Sequence, residues 1–274
     1  MIPIPSTEQK LLEKTTANFS LFSPRIVDWV ENKKGEFASN TEMMQKLFEK
    51  SKLSFSSSSK LLEKIQISQK AYITYLEKSN ISVFEIKAKS SSPFITGLGS
   101  GHPTETGMIL DRNTGLPYIP ASSIKGVLRL SLAINCADSS GNVDENDKRI
   151  VKYFGTTSSV QESNRGQLII LDAYPEKVPT LKVDIMNPHF GKYYSGENKQ
   201  PVETESPVPI KFLAVKEGAT FVFRCAFMPV ENKILSENER LEIQNDVDAM
   251  FKIAFETVGF GGKTAIGYGR FKKI

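Results

Sequence analysis

The sequence has few of the residues that build disulfide-linked or metal-bound folds. Among 274 residues there are two cysteines, Cys136 and Cys225, and two histidines, His102 and His189. The cysteines show no CxxC spacing, which excludes a disulfide scaffold and a cysteine-based zinc site and is typical of a reducing compartment. There is no HxxxH, HExxH or clustered-carboxylate pattern either, so we predict no metal site and no cofactor.

Long apolar runs and a strong charge imbalance are also missing. No run of about 18 apolar residues occurs, and the N-terminal MIPIPSTEQK lacks the order of a signal peptide, so we expect a cytoplasmic protein without a membrane span. The net charge is only +4, from 35 basic and 31 acidic residues. A hydrophobic content of 39% and a charged content of 24% are those of an ordinary globular protein.

The first 79 residues predict a helical extension. Apolar residues recur at helical spacing in residues 41–50 and 60–77. The serine-rich stretch 54–59 between them predicts a break in the helix and a mobile loop. We expect these amphipathic helices to serve packing and assign them no chemistry.

From residue 80 the pattern changes to short strands and helices. The predicted elements are a strand at 81–87, a helix at 124–136, a strand at 167–171, a hairpin of strands at 210–215 and 220–227, and a helix at 237–258. Ser122 and Ser123 are placed to cap the first helix. Gly259 directly follows the second, as expected of a helix C-terminus.

Long insertions interrupt this pattern between residues 138 and 209. Residues 138–166 are polar and loop-like, and residues 174–209 contain six prolines, which favours an extended segment. Without the insertions, residues 80–274 have the order strand, helix, strand, strand, helix, strand. This α+β order is that of the ferredoxin-like (RRM-like) fold, in which two helices cover one face of an antiparallel sheet.

The last 16 residues are rich in glycine, and from 259 to 274 they carry four basic side chains and no acidic one. A P-loop is excluded, because the GKT at 262–264 has Thr257 where a glycine is required and follows a helix. Backbone N–H groups of glycine-rich loops bind anions, and nearby cations add attraction. The tail therefore predicts an anion-binding loop; the alternative is a flexible turn before a terminal strand.

A second anion site is predicted at the start of the first helix. Lys125 and Arg129 are four residues apart and share one helix face, close to free backbone N–H groups. Together they are suited to one or two phosphates, and the alternative is a solvated helix face. His102, within a glycine-rich loop, is the better candidate of the two histidines for acid–base chemistry; a hydrogen-bonding role in the loop is the alternative.

Three stretches, 97–105, 115–129 and 259–271, together resemble the RAMP superfamily of CRISPR-associated proteins. The last stretch matches the superfamily's loop pattern GxGxxxxxGxGxF at Gly259, Gly261, Gly267, Gly269 and Phe271. The first two are most similar to the sixth-subunit family of the Cmr (type III-B) effector complexes. Ala121 stands where the superfamily commonly has a glycine.

The resemblance implies a non-catalytic, RNA-binding subunit with one ferredoxin-like domain, which caps the filament of an antiviral RNA-guided complex. The partners it implies are the CRISPR guide RNA near its 3′ part, the target RNA and the other Cmr subunits, one of which cuts the target. The RNA contacts it implies are Lys125, Arg129, Gly261, Gly262, Lys263 and Arg270, with His102 lining the same cleft.

Two alternatives belong to other classes of function. One is a metal-independent endoribonuclease of CRISPR repeat RNA that uses His102 as general acid or base. The other is a structural cap that contacts protein alone through the N-terminal helices and the insertions.

Overall fold

The computed structural model describes residues 18–22, 29–31, 37–39, 43–99, 106–144, 147–156, 164–187, 209–230 and 233–274, and residues 193, 196, 199 and 200 singly. Within these ranges the helices are α1 (Phe19–Phe22), α2 (Met43–Lys78), α3 (Ala121–Cys136), α4 (Lys148–Phe154) and α5 (Glu237–Ile253). A π-helical turn (Ala254–Val258) continues α5, and a 3₁₀ turn (Thr264–Ile266) lies in the tail. None of these helices is both long and apolar enough to cross a bilayer.

The strands in the same ranges are β1 (Trp29–Glu31), β2 (Phe37–Ser39), β3 (Ser82–Ser90), β4 (Leu168–Ile170), β5 (Tyr174–Pro175), β6 (Leu181–Met186), β7 (Ile210–Val215), β8 (Thr220–Phe227) and β9 (Phe271–Lys273). The main sheet is antiparallel and has the order β4-β8-β3-β9, with β5 also paired to β8. Its central pair runs from Ser82 opposite Phe227 to Lys89 opposite Thr220. The fold is therefore α+β with an antiparallel sheet, as expected.

The predicted strands at 81–87 and 167–171 and the predicted last helix are confirmed. β3 and β4 occupy the strand positions, and α5 with its π-helical turn runs up to Gly259, which has a φ of +80°. Ser236 and Glu239 cap α5 reciprocally, since each side chain accepts a hydrogen bond from the backbone N–H of the other. Both ends of this helix are thus marked by local residues.

One face of the sheet, here called the inner face, carries an aromatic core under α3 and α5. The ring of Phe223, on β8, lies 5.7 Å from that of Phe251 and 5.2 Å from those of Phe255 and Phe260. Phe271 of β9 joins the same cluster at 5.8 Å. Side chains alternate along a strand, so every second residue of β8 contributes to this core.

The opposite face, here called the outer face, is crossed by α2. Arg224 of β8 is buried there and donates hydrogen bonds to Glu85 on β3 (2.8 Å) and to the amide oxygens of Gln66 (2.7 Å) and Gln69 (2.8 Å) on α2. Gln69 in turn donates to the backbone carbonyl of Asp172 at 2.9 Å. A polar network therefore ties α2 to the central strands.

The break predicted at 54–59 is wrong, because α2 continues through these serines without interruption. Phe55 is buried and its ring packs edge-on against Phe19 at 5.4 Å. Ser58 is also buried and donates a hydrogen bond to the carbonyl of Thr114. Tertiary contacts on this side of the helix outweigh the weak helix propensity of serine.

The predicted hairpin is also wrong, although both of its strands have the predicted bounds. β7 pairs with β6, from Leu181 opposite Val215 to Met186 opposite Ile210, in a separate two-stranded ribbon. Part of the insertion that was expected to be an extended segment is therefore a paired strand, β6. β7 is buried on both of its faces, and pairing with β6 sets it between two layers instead of at the edge of the main sheet.

Residues 138–166, expected to be loop, contain the helix α4. Asp147 caps it by accepting a hydrogen bond from the Arg149 backbone N–H at 2.7 Å. Asp246 of α5 then accepts from the Arg149 guanidinium at 2.6 Å and from the Tyr153 hydroxyl at 2.8 Å. The helix is short, so contacts with a distant residue, rather than a long apolar period, stabilise it.

Candidate nucleic-acid interface

α3 starts without a cap from its own sequence. Its first residue is Ala121, and Ser122 and Ser123 lie exposed within the first turn, so the prediction that they cap the helix is wrong. Instead, the Ala121 backbone N–H donates a hydrogen bond of 2.7 Å to Oδ1 of Asp172, which is 51 positions away. A carboxylate at this end also interacts favourably with the helix dipole.

Lys125 and Arg129 lie one turn apart on α3, beside its buried side. Ile124 and Leu128 are fully buried, whereas Lys125 is exposed and Arg129 is partly buried. Gly126 follows Lys125, and a Cβ at this position would have no neighbour within 4 Å. Glycine within a helix costs about 1 kcal/mol relative to alanine, and packing among the described residues does not require it. α3 therefore presents cations beside an open stretch of backbone.

The glycine-rich tail folds back onto the segment that follows β3. The Gly262 N–H donates to the carbonyl of Ile95 at 2.7 Å, and the Gly269 N–H donates to that of Pro93 at 2.8 Å. Gly261 has a φ of +85°, and a Cβ there would collide with the Ile95 carbonyl. Packing within the chain therefore requires glycine at 261, and the Gly262 amide is already bonded within the protein.

Arg270 spans the loop and has one donor without a partner. Its backbone N–H donates to Oγ of Ser92 at 2.9 Å, and its Nη2 donates to the carbonyl of Thr264 at 3.2 Å. Its Nη1 is buried and has no hydrogen-bond partner among the described residues. This nitrogen occupies the space that a Cβ at Gly259 would take. A buried, unpaired donor costs about 1–3 kcal/mol, which an anion bonded to Nη1 would relieve.

Lys263 and Tyr268 join the loop to the β6–β7 ribbon. The Lys263 Nζ lies 3.8 Å from Sδ of Met186 and 5.5 Å from the centre of the Phe212 ring. The Tyr268 hydroxyl donates to Oδ2 of Asp184 at 2.6 Å. Burial and this hydrogen bond raise the pKa of Tyr268 to about 12. Burial alone would raise the pKa of Asp184, but the hydrogen bonds it accepts, first that from Tyr268, outweigh burial and lower it.

The four basic residues of the tail do not form one cluster. Lys263 lies against the ribbon and Arg270 lies within the loop. Lys273 is paired with Asp248 of α5 at 2.6 Å. Lys272, between the inward-facing Phe271 and Lys273, is exposed on the outer face of the sheet. The positive charge that is continuous in the sequence is thus divided between both faces.

α3 and the tail meet at the end of the last helix, because α3 packs against the π-helical turn that runs directly into the glycine loop. The helix that carries Lys125 and Arg129 therefore packs against the turn that leads into the loop. His102 lies outside the described residues, so its place in the same cleft stays a prediction.

Two contacts of this region were missed in the sequence. The cap supplied by Asp172 has no local signal, since it depends on how β4 and α3 are placed in space. The ribbon had a signal, because LKVDIM at 181–186 alternates apolar and polar residues, as strands do. The surrounding prolines led instead to the expectation of an extended insertion.

Comparisons with known proteins agree with this architecture. The model of the RAMP superfamily matches residues 87–272. The CRISPR system Cmr subunit Cmr6 of Pyrococcus furiosus is 26% identical over 92% of this chain and 92% of its own. A chain in the cryo-EM structure of the Type III-B Cmr-beta bound to cognate target RNA aligns with a TM-score of 0.57 and 19% identity, over 98% of this chain and 89% of that one. The crystal structure of Cmr6 from P. furiosus aligns with a TM-score of 0.41 and 26% identity, over 71% of this chain and 99% of that one.

The superfamily match covers more than half of the chain and includes both α3 and the glycine loop. The likeness to the Cmr-beta chain, at 19% identity, shows a common fold and nothing more. On these grounds the chain belongs to the RAMP superfamily and is similar to Cmr6 of the type III-B Cmr complex.

Proposed function

We propose that this chain is the Cmr6-type subunit of a type III-B CRISPR effector complex, where it binds the guide RNA near its 3′ part and caps the protein filament. The observation that carries this proposal is the 26% identity to Cmr6 over 92% of both chains, which extends far beyond a single motif. In this role the chain is non-catalytic, its partners are the guide RNA, the target RNA and the other Cmr subunits, and another subunit cleaves the target.

The sheet order supports a ferredoxin-like (RRM-like) domain. Along the chain the main elements are β3, α3, β4, β8, α5 and β9. If the four strands are numbered 1 to 4 in chain order, their order across the sheet is 2-3-1-4. Helices that follow the first and third strands then cover one face, as in the split βαβ arrangement. α2 precedes this unit, which supports the boundary between an extension over 1–79 and a domain over 80–274. The extension is not purely helical, because β1 and β2 form a two-stranded sheet within it.

The α3 surface supports binding of a phosphate backbone. Lys125 and Arg129 supply charge one turn apart, and Gly126 leaves the helix backbone open beside them. Contacts to phosphate hold RNA in register but do not distinguish sequences. We therefore expect binding that depends strongly on salt and weakly on sequence.

The tail supplies a second group of hydrogen-bond donors for the same RNA strand. Nη1 of Arg270 is held in place by its neighbours Gly259 and Thr264 and lacks a partner among the described residues. The residue as a whole is only partly buried, and the loop must open for a phosphate oxygen to reach Nη1 and complete the hydrogen bonding of this guanidinium. Lys263 adds a positive charge on the ribbon side of the loop.

The direct test is to assemble the complex with Lys125→Ala/Arg129→Ala and measure the guide RNA it retains. We expect less retained RNA and a normal circular dichroism spectrum. The matched control is Lys78→Ala/Lys148→Ala, which removes two positive charges at exposed positions, the last residue of α2 and the first residue of α4. Equal RNA retention by both variants would overturn the proposed α3 contact.

Gly126→Ala separates binding from stability at the same surface. Alanine should stabilise α3 by about 1 kcal/mol, since nothing lies where its methyl group would be placed. The added methyl group should also weaken RNA binding, because it holds the RNA strand away from the backbone of α3. A variant that is more stable and binds RNA as well as the wild type would contradict close approach of RNA here.

The endoribonuclease alternative is tested by incubating the purified chain with CRISPR repeat RNA in EDTA. The proposal predicts no cleavage. Cleavage that His102→Ala abolishes would establish the alternative and overturn the non-catalytic role. Ultraviolet crosslinking tests the protein-only cap, which predicts no RNA adduct on residues 259–270.

A further inference from the structure

Two lysines face each other directly on the outer face of the sheet. Lys89 of β3 and Lys272 of β9 are antiparallel partners, and both side chains are exposed. Directly opposed side chains in such a pair have Cβ atoms about 4.5–5.5 Å apart, and like charges there are destabilising. In the described part of the chain, neither lysine forms an ion pair that would offset this repulsion.

In the described part of the chain, the acidic side chains on this face and in the adjoining turn form no ion pair with these lysines. Glu85, on the same face of β3, is bonded to Arg224 at 2.8 Å and to Lys70 at 3.4 Å. Glu176 is paired with Lys87, two residues before Lys89. Glu217 lies in the turn before β8, and no ion pair joins it to Lys89 or Lys272 among the described residues. Among the described residues, no ion pair therefore compensates the excess positive charge at this site.

α2 leaves this part of the outer face uncovered. It lies over Arg224 and reaches β5, where Gln66 donates to the Pro175 carbonyl at 2.9 Å, on the far side of β8 from Lys89 and Lys272. Beside Lys89 the chain forms an open groove of about 380 Å³ between residues 176–180 and 216–220. The cross-strand partner of Lys89, Thr220, lines this groove. Its charged lining consists of two lysines, Lys177 and Lys216, and two glutamates, Glu176 and Glu217.

Protection of the sheet edge explains only part of this arrangement. β9 is an edge strand, and lysine on an edge strand discourages pairing with another chain. Lys89, however, is on β3, which is paired on both sides, so it has no edge to protect. A second lysine opposite Lys272 adds repulsion without adding protection, which points to an anionic ligand.

We propose that Lys89 and Lys272 form a second RNA-binding site, the lysine platform, which holds a phosphodiester backbone on the outer face of the sheet and directs it along the neighbouring groove. Strands lie about 4.8 Å apart and residues two apart on a strand about 6.8 Å apart, so the cations follow a line rather than surround a pocket. A line of flexible ammonium groups suits a linear polyanion better than a compact ligand. This inference rests on the proposed function as an RNA-binding subunit but uses the face opposite to α3.

The experiment measures binding of single-stranded RNA by the full-length chain at several salt concentrations, for the wild type and for Lys89→Gln/Lys272→Gln. Losing two phosphate contacts should reduce the slope of log K against log salt by about 1.4. Between about 50 and 200 mM salt, the wild type should therefore lose about sevenfold more affinity than the variant. Lys78→Gln/Lys148→Gln, with the same change in charge at distant exposed positions, should keep the wild-type slope.

Thermal unfolding distinguishes an RNA-binding role of the two lysines from a role in stabilising the fold. Without RNA, Lys89→Gln/Lys272→Gln should have a higher Tm than the wild type, because the opposed charges are gone. Added RNA should raise the Tm of the wild type more than that of the variant. A lower Tm for the variant without RNA would show that the lysines stabilise the fold, and would overturn the proposal.

The outcomes separate this proposal from the proposed function. If the wild type binds RNA and Lys125→Ala/Arg129→Ala weakens binding, but the platform variant keeps the wild-type slope, the platform alone is wrong. If the wild type binds no RNA at low salt, both are wrong. If the platform variant keeps its RNA slope but loses a neighbouring subunit on purification, the ligand is an acidic protein surface instead of RNA.

Discussion

Neighbouring residues of β8 take part in two different kinds of packing. Phe223 faces the inner side, where its ring packs against those of four other phenylalanines. Arg224 faces the outer side and makes hydrogen bonds to three side chains. Apolar packing is not directional and scales with buried area. Hydrogen bonding to a guanidinium is directional and fixes position. The inner layer therefore stabilises the domain, and the outer contact mainly sets the register of α2.

α2 also buries apolar groups, so the contrast between the two faces is one of degree. Leu62, Ile73 and Leu76 are buried on its inward side. The solvent side exposes Ile67 and Tyr75, with exposed fractions of 60% and 66%. α2 thus has one contact layer, whereas β8 has two. We expect α2 to open locally before the sheet unfolds.

The largest effect is expected from breaking the inner layer. Phe223→Ala should lower the free energy of unfolding by about 3–5 kcal/mol, because it leaves a cavity among four aromatic rings. Urea unfolding followed by circular dichroism measures this. Ile67→Ala is the control, since its side chain is exposed and should change little. A loss below about 1 kcal/mol for Phe223→Ala would contradict the central role of the aromatic core.

A smaller and more local effect is expected from Arg224→Met. It should cost about 1–3 kcal/mol, because the buried acceptors on Gln66 and Gln69 lose their donor. Hydrogen exchange should show faster exchange in α2 with β3 and β8 still protected. Arg224→Lys keeps the positive charge, but an ammonium group does not reproduce the planar arrangement of donors that reaches three acceptors. This variant should therefore resemble Arg224→Met. Uniform loss of protection across the domain would contradict a local role.

The inner layer should respond weakly to the loss of a single hydrogen bond. Tyr153→Phe removes the 2.8 Å hydrogen bond to Asp246, which keeps its contact with Arg149. We expect a loss of about 1 kcal/mol by urea unfolding. Phe227, whose ring lies 5.5 Å from that of Tyr153, still packs against the new ring. If Tyr153→Phe lowered the free energy of unfolding as much as Phe223→Ala does, hydrogen bonds would also be a main source of stability in the inner layer.

The smallest effect is a pH dependence on the outer side. Burial alone would raise the pKa of Glu85, but the hydrogen bond and charge of Arg224 outweigh it and hold the pKa below its usual 4.5. A carboxyl group with a lowered pKa stabilises the folded state above the unfolded-state value, and this contribution is lost as the pH falls through the folded-state value. Acidification below about pH 4.5 should therefore lower the protection factors of the α2 amides, that is, their exchange rates relative to those of an unfolded chain at the same pH.

Glu85→Gln is the matching variant for that titration. Relative to the wild type, the exchange of its α2 amides should depend less on pH below about 4.5. Glu63→Gln, on the exposed side of α2, should follow the wild type. If Glu85→Gln and the wild type respond equally to acid, Glu85 does not contribute to holding α2.

The parts predicted correctly from the sequence are those with a strong local period. β3 alternates so that Phe84 and Ile86 fall on one face, and β8 is a short apolar run. α5 has a capping box at Ser236 and a glycine at its end. These signals depend on residues a few positions apart, so they are visible without the fold. The α+β class with an antiparallel sheet followed from their order.

The errors arise where a distant residue decides the local structure. Ser58 stays helical because it contacts Thr114, and α3 is capped by Asp172 instead of Ser122. β7 pairs with β6 instead of β8, although a short turn joins β7 to β8. In each case the local propensity is weak, and one tertiary hydrogen bond or pairing is enough to outweigh it.

The candidate site shows the same division. The sequence by itself determined the residue types: a basic, glycine-rich tail and a Lys125–Arg129 pair one turn apart on a helix, because composition and helical period are local properties. Only the tertiary structure decided how the tail's charge is divided, with Nη1 of Arg270 buried beside Gly259 and Lys272 set opposite Lys89. The physical reason is that strand pairing and burial fix the direction of each side chain, and these depend on residues almost 200 positions apart.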